Sequence, residues 1–417
     1  MTAPLTPHRA RRVFYTLTLT RWFPVGLVVG ITTLWPLQRG LTVPETLSAA
    51  SLVGVTVFLL ELPTSGFADA FGRRPVYLAS AVTCVVSGLV FYTATRWWQF
   101  ALAAVLTGIF RALDSGPLEA WYVDTVHATL PGADVDGALA VESTMLGVGM
   151  AGGAVLSGAL IWWHPIASSS ALLLPGLLYV GLGVVHLITV ALLMSEPTGH
   201  RDDSSRRRAL ASLREAPGVV REGLILLRHS RVLAGLVAVE FFWSAGMVVF
   251  ETLQPIRLAE LLGSETRAGA LMGPVASAGW GLFALGSALG GVTSRRIGVT
   301  RTAILARVLN GLGAMTMGVV VGPTALICAY AVTYTLHGAA GPVHSALLHR
   351  EATARNRSTV LSMNSMVAFL SFSVVTSLGG LLAARTSTAT AMVVIGTFSV
   401  LGAAFYRPAL RREREEA

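Results

Sequence analysis

The sequence predicts an all-α polytopic membrane protein with twelve transmembrane helices. Composition is the first observation: of 417 residues 53% are hydrophobic and only 13% charged, about half the charged share of a soluble domain. The second is that the long apolar stretches are continuous, not alternating as in a membrane β-barrel. The third is their number. A span needs about 20 apolar residues, and twelve segments qualify: 16–37, 47–69, 75–95, 99–123, 138–161, 171–194, 232–254, 268–292, 301–321, 323–347, 359–383 and 387–406.

Charge then orients the segments. All 31 basic residues are arginine, and the net charge is +9. Against these segments, with the border residue Arg301 counted with its loop, 23 arginines fall on one side, 5 on the other and 3 inside spans. Arginine accumulates on the cytoplasmic side of spanning helices, so both termini are expected in the cytoplasm of a plasma (inner) membrane. The excess of positive charge is topogenic and gives no reason to expect a nucleic-acid partner. Arg9, Arg11 and Arg12 before an apolar run mimic a signal peptide, but no small-residue cleavage site follows, so the run reads as a retained first helix. Cys84 and Cys328 sit in apolar spans of opposite halves, which suits neither a disulfide nor a metal cluster.

Residues 195–231 are the exception among short connections. They carry Arg201, Asp202, Asp203, Arg206, Arg207, Arg208, Arg214, Arg221, Arg228 and Arg231 and divide the segments six and six. The expected plan is a first bundle over 1–194, this cytoplasmic linker, a second bundle over 232–406 and a charged, frayed tail over 407–417. Leu210, Leu213, Val220, Leu224 and Leu227 give the linker a roughly helical apolar spacing, consistent with an amphipathic surface helix or with a solvated linker. The halves repeat. A shift of 225 residues puts Gly116-Pro117 on Gly341-Pro342 and Gly66 on Gly291; a shift of 222 puts Glu142-Ser143 on Asn364-Ser365.

Three stretches then carry a resemblance. Gly66-Phe67-Ala68-Asp69-Ala70-Phe71-Gly72-Arg73-Arg74, between segments two and three, resembles the loop motif of the major facilitator superfamily, with Ala70 where a basic residue is usual. Gly291 to Gly298 is its degenerate copy, with Ser294 for Asp69. Gly149, Gly153, Ser157 and Gly158 in segment five are similar to the helix-packing motif of the drug–proton antiporter branch, with Ala154 for its proline. Arg111 to Gly116 in segment four resembles that branch's membrane-arginine motif. The resemblance implies two pseudo-symmetric six-helix bundles that rock about a midplane site. It also implies a gating role for Gly66, Asp69, Gly72, Arg73 and Arg74, and a link between Arg111 and proton transfer. The other reading of the loop is a border turn with topogenic arginines.

Charges inside spans are costly, about 2.5–3.5 kcal/mol each on insertion scales, and mark functional candidates. Arg111 and Asp114 are three apart and can pair; a coupling carboxylate must lose its partner during the cycle, whereas a static pair keeps it. Asp114, Arg111, Glu61 and Glu142 are the expected proton-coupling group, Glu142 also reading as a first-turn acid. Arg21, Trp22, Glu119, Glu240, Trp243 and His337 are the substrate-binding candidates: an acid among aromatics suits a cationic amphipathic ligand. Arg21 and Arg307 are also long enough to snorkel. Asp124 reads as a border residue and Glu251 as an outer-end acid. His186, His337 and His344 are spaced wrongly for a metal site and read as buried, hydrogen-bonded histidines.

The reading is a monomeric secondary transporter without cofactor or metal, whose partners are a small molecule, protons and the lipid bilayer. Export of an amphipathic compound by proton antiport is the first expectation, nutrient import by symport the second, and a membrane enzyme or receptor the third. Because the second loop lacks the acid, Asp69→Asn should slow cycling more than Ser294→Ala in a transport assay; equal effects would reduce the motif to a turn.

Overall fold

A computed structural model describes residues 5–196, 217–353 and 356–415, apart from the side chains at 62, 63, 65, 66 and 69. The described residues form no strands, and twelve long helices carry the fold. They are α1 (Pro7–Val28), α2 (Val43–Phe71), α3 (Arg73–Thr93), α4 (Trp97–Thr129), α5 (Asp136–Trp163), α6 (Leu173–Leu193), α7 (Arg231–Leu262), α8 (Glu265–Ile297), α9 (Val299–Val319), α10 (Pro323–Glu351), α11 (Arg357–Arg385) and α12 (Thr388–Leu401). Ten of these helical stretches are long and apolar enough to cross a membrane; α1, with four arginines, and α10, with three histidines, fall short by composition. Starts follow local chemistry. Thr42 and Glu45 form a reciprocal capping box at α2, and Ser230, Ser264 and Ser387 each cap a first turn.

Several boundaries differ from the hydropathy reading. The expected span 16–37 is not one helix: α1 starts nine residues earlier, at Pro7, and ends at Val28, and Leu34–Gln38 forms a separate short helix. Thr6 caps α1 with Pro7 in its first turn, so Arg9, Arg11 and Arg12 lie within the helix. The tail is not frayed: Arg407–Glu415 is helical, and Arg412 bonds Glu351 at 2.8 Å. Of the linker, residues 217–229 are helical, with Val220, Leu226 and Leu227 half-buried and Leu224 exposed; Leu210 and Leu213 lie outside the described residues.

The equivalent sequences Gly116-Pro117 and Gly341-Pro342 fold differently. In α4, Ser115 is extended and Gly116 takes φ 90°, so the helix breaks into Trp97–Asp114 and Pro117–Thr129. In α10 the helix runs through Pro342. Left-handed φ at Gly116 is open to glycine at little cost. One further irregularity is a π-helical turn, Val249–Leu253, inside α7.

Packing confirms the internal duplication. In the first half α1 packs on α5 and α6, α2 on α4, and α3 on α4 and α6; in the second α7 packs on α11 and α12, α8 on α10, and α9 on α10 and α12. Each pairing of the first half has its counterpart six helices later. Two seams join the halves, α2 against α11 and α5 against α8. Small residues make both possible: Gly54 meets Ser373 and Phe369 across the first, and Gly158 meets Gly273 across the second.

The buried core shows how the seams are used. At the arginine-poor end one continuous cluster takes residues from both halves, including Leu27, Leu47 and Ile161 with Phe250, Met272, Tyr330 and Met392. At the arginine-rich end there are two. Phe14, Tyr77, Trp121 and Val190 belong to the first half, and Leu236, Ala303, Leu347 and Tyr406 to the second. The halves are fused at one end and separate at the other.

The glycines of α5 are not equivalent. A methyl group at Gly153 would collide with the Phe23 carbonyl of α1, whereas at Gly149 its nearest neighbours would be Leu19 Cδ1 and the Phe23 backbone nitrogen, both at an ordinary contact distance of 3.4 Å. Gly153→Ala should therefore lower stability by about 1–3 kcal/mol, the usual cost of overpacking, and Gly149→Ala should be near neutral. Thermal unfolding of the purified variants checks the contrast.

Candidate functional site

In the first half the membrane charges gather around Arg21 of α1. Its Nη2 and Nε lie 2.9 and 3.0 Å from Asp114 Oδ2, and it is 6% exposed. The guanidinium is flanked by the rings of Phe110 at 4.3 Å and Trp22 at 4.7 Å. Arg21 thus neither snorkels nor lines an open site; it is committed to a buried ion pair. Asp114 was expected to pair with Arg111. It bonds Arg21 of α1 instead, and lies 3.5 Å from Ser80 of α3. His186 completes this layer with a 2.9 Å bond to Thr20.

Glu119 and Glu142 lie closer to the arginine-rich end and within electrostatic reach of each other. Glu142 is buried, and Glu119 Oε2 is buried without a partner among the described residues. They do not join the Arg21–Asp114 pair in direct contact.

The loop between α2 and α3 is built on Gly72, with φ 94° and ψ 156°; its counterpart Gly298, between α8 and α9, has φ 91° and ψ 156°. Ser294, standing where the first loop has Asp69, bonds back to Gly291 of its own helix. The side chains of Gly66 and Asp69 lie outside the described residues. The anion that meets the first turn of α3 is Glu196: Arg73 and Arg74 donate their backbone N–H groups to its two oxygens at 2.9 and 3.1 Å. A carboxylate there satisfies two otherwise unbonded amides and the positive end of the helix dipole. Arg73 also bonds Asp124 at 3.4 Å, Asp124 being exposed as a border residue is, and Arg74 bonds the Ala191 carbonyl. Glu196 escaped the sequence reading because it opens a charged linker. Glu413 stands beside Gly298 in the matching place of the second half.

Between the halves stands a different group. Arg111 is exposed, and its guanidinium lies 5.6 Å from the Phe369 ring of α11. Glu61 and Glu251 are both within electrostatic reach of it. Glu61 accepts a 3.1 Å bond from Ser365 of α11. Glu251 sits in the π-helical turn of α7, beside the Tyr334 hydroxyl and between Phe250 and Leu253 of the cluster at the arginine-poor end, as an outer-end acid would. Such turns re-aim side chains and favour functional positions. One cation and two carboxylates, from α4, α2 and α7, therefore surround the interface.

The second half has its own buried network. Glu240, 3% exposed, accepts bonds from Ser244 at 2.9 Å and Asn364 at 3.2 Å and lies 3.5 Å from His344 Nε2. His344 Nδ1 is 2.8 Å from the Tyr406 hydroxyl. Arg307 does not snorkel; it is buried, 3.6 Å over the Trp243 ring. His337 is enclosed by Trp243, Phe250, Phe283 and Tyr334, with ring centroids 5.0–5.6 Å away. Its Nδ1 has no partner among the described residues, contrary to the expected hydrogen-bonded histidine. The aromatic setting of Glu240 and Trp243 was legible in the sequence. That Trp243 stacks on Arg307 and His337 was not; Asn364 stood out only as the repeat counterpart of Glu142, and nothing in the sequence pointed to Tyr406.

Removing one member of a buried ion pair leaves the other uncompensated, at about 3–5 kcal/mol. Asp114→Asn should therefore destabilise the protein by that order, while Arg111→Ala should leave thermal unfolding nearly unchanged. Apolar replacement of Arg21 and Asp114 together should recover most of the loss. If Arg111→Ala is the more damaging change, the pairing is wrong.

No curated protein sequence matches the chain significantly. Solved structures do. A nucleoside transporter, NupG, superposes with a TM-score of 0.77 at 11% identity, covering 96% of this chain and 98% of that one. A mutant of the peptide transporter POT gives 0.73 at 12%, covering 98% and 99%. A POT family transporter in complex with 5-aminolevulinic acid gives 0.67 at 14%, covering 95% and 94%. At these identities the likeness establishes the fold. The model of the Major Facilitator Superfamily matches residues 15–336, well over half of the chain. With its twelve helices, duplicated halves and two seams, the chain belongs to the Major Facilitator Superfamily and is a multi-pass membrane transporter, not an enzyme.

Proposed function

We propose that this transporter is proton-coupled and exports a small amphipathic molecule by alternating access. The observation that carries the reading is the interfacial group of Arg111, Glu61 and Glu251, which places one cation and two carboxylates between halves that separate at the arginine-rich end. On the positive-inside rule that end is cytoplasmic, so the described state faces the cytoplasm. The working unit is a monomer in the inner membrane, with bundles 1–194 and 232–406 rocking on either side of the linker.

Glu61 is the better proton carrier and Asp114 the structural anion. Asp114 is held by a buried arginine through two nitrogens, whereas Glu61 has a serine hydroxyl as its close partner. A carboxylate bonded to a hydroxyl gains or loses a proton without breaking an ion pair. Arg111 and Glu251, facing the same space, give a solute with a cationic group and an anionic or polar one something to hold, and the Phe369 ring offers an apolar face. Coupling follows if proton and solute favour opposite bundle states. The antiporter-like motifs of α4 and α5 favour export over import.

Thermal shift of the purified protein at two pH values identifies a binding solute and its proton linkage. In everted vesicles, acidifying the lumen should then drive accumulation of that solute, and Glu61→Gln should abolish the pH-driven part while Asp114→Asn, where it folds, retains it. Solute loss on acidification would establish symport, and indifference to pH would remove proton coupling.

A further inference from the structure

Asn364 and Ser365 are neighbours on α11, and they bond carboxylates in opposite halves of the protein. Asn364 Nδ2 donates to Glu240 Oε2 at 3.2 Å within the second half. Ser365 Oγ donates to Glu61 Oε1 at 3.1 Å across the seam to the first. Successive helical residues project about 100° apart, and α11 packs on both α7 and α2, so each side chain reaches a different neighbour. Further along the seam, Ser377 bonds Ser51 and Gly380 meets Leu47. Of these three contacts, Ser365–Glu61 lies nearest the end where the halves part.

The Glu240 end of this link is unsettled. Both terminal nitrogens of Arg307 are buried without a partner among the described residues, although Glu240 is within its electrostatic reach. Asn364 Oδ1 is likewise buried and unbonded. The carboxylate is shared among Ser244, Asn364 and the facing His344, and Arg307 instead approaches Tyr406 through Nε at 3.5 Å. The charged and titratable groups facing Glu240 are therefore His344 from α10, Arg307 from α9 and Tyr406 after α12. Among the described residues, the charged group facing Glu61 is Arg111 from α4.

We infer that Asn364 and Ser365 join Glu240 and Glu61 into one coupled proton site, so that α11 transmits a change of charge in the second half to the seam. The inference rests on the proton-coupled reading above. Proton uptake forms one O–H bond on a carboxylate oxygen and needs no other reactant. A protonated Glu240 accepts more weakly from Asn364 and no longer balances Arg307. The side chain of Asn364 is then free to turn, and the adjacent Ser365 turns with the same stretch of helix. Asn364 and Ser365 are positioning residues in this scheme, and neither carries the proton.

The test is an infrared pH titration of the full chain in liposomes, following the C=O stretch of protonated carboxyl groups. Two titrating bands are expected, one lost in Glu61→Gln and the other in Glu240→Gln. Each single variant should move the midpoint of the remaining band by about one pH unit, the mark of interacting sites. Asn364→Ala and Ser365→Ala should abolish that mutual shift while both bands persist, and Ser365→Thr should restore it. A purely structural role would change stability and leave the midpoints coupled. Independent midpoints in the wild-type background overturn the inference, and pH-driven vesicle transport that persists in that case leaves the proton-coupled reading intact. If neither carboxylate titrates and vesicle transport ignores pH, both fall.

Discussion

Close approach of helices across the two seams is the condition on which the rest depends. The α2–α11 and α5–α8 contacts hold the halves together, and they do so where side chains are glycine, serine or alanine. In a bilayer there is no hydrophobic force to drive two apolar helices together, so association relies on intimate packing. A seam of small residues is also one along which helices tilt without unlocking large side chains. Fusion of the core at one end and its division at the other shows the seams acting as a line about which the bundles part.

The two halves solve the burial of charge in opposite ways. The first half closes Arg21 on Asp114 in a direct pair, flanked by aromatic rings. The second half leaves Arg307 stacked on Trp243 and disperses Glu240 among neutral donors and a histidine. Breaking a closed pair leaves an uncompensated buried charge, so the first arrangement is fixed, whereas the second has several partners among which its carboxylate can be redistributed. The duplicated scaffold is symmetric, but the chemistry placed on it is not.

Much of the fold was legible because the bilayer demands continuous apolar helices, and the repeat at Gly116 and Gly341 and in the two loops announced the duplication. The site was legible only as a set of candidates. Spacing along α4 made Arg111 and Asp114 partners; Arg21, from another helix, took the carboxylate instead. Snorkelling was reasonable for Arg21 and Arg307 taken one helix at a time, yet each found an acid or a ring on another helix. For Glu251 the sequence indicated a depth near the outer end, but not Tyr334 and Arg111 as its neighbours.

The amino-acid sequence by itself determined that this chain spans a membrane, in how many helices, with which internal symmetry, and which ionisable groups lie at membrane depth. Hydropathy and charge act over one helix at a time, so those properties are written locally. Tertiary structure alone decided which charges meet, which are sealed and which face the space between the halves. The partners are separated by tens to hundreds of residues, as Ser365 and Glu61 are, and only the crossing of helices at close range brings them within bonding distance.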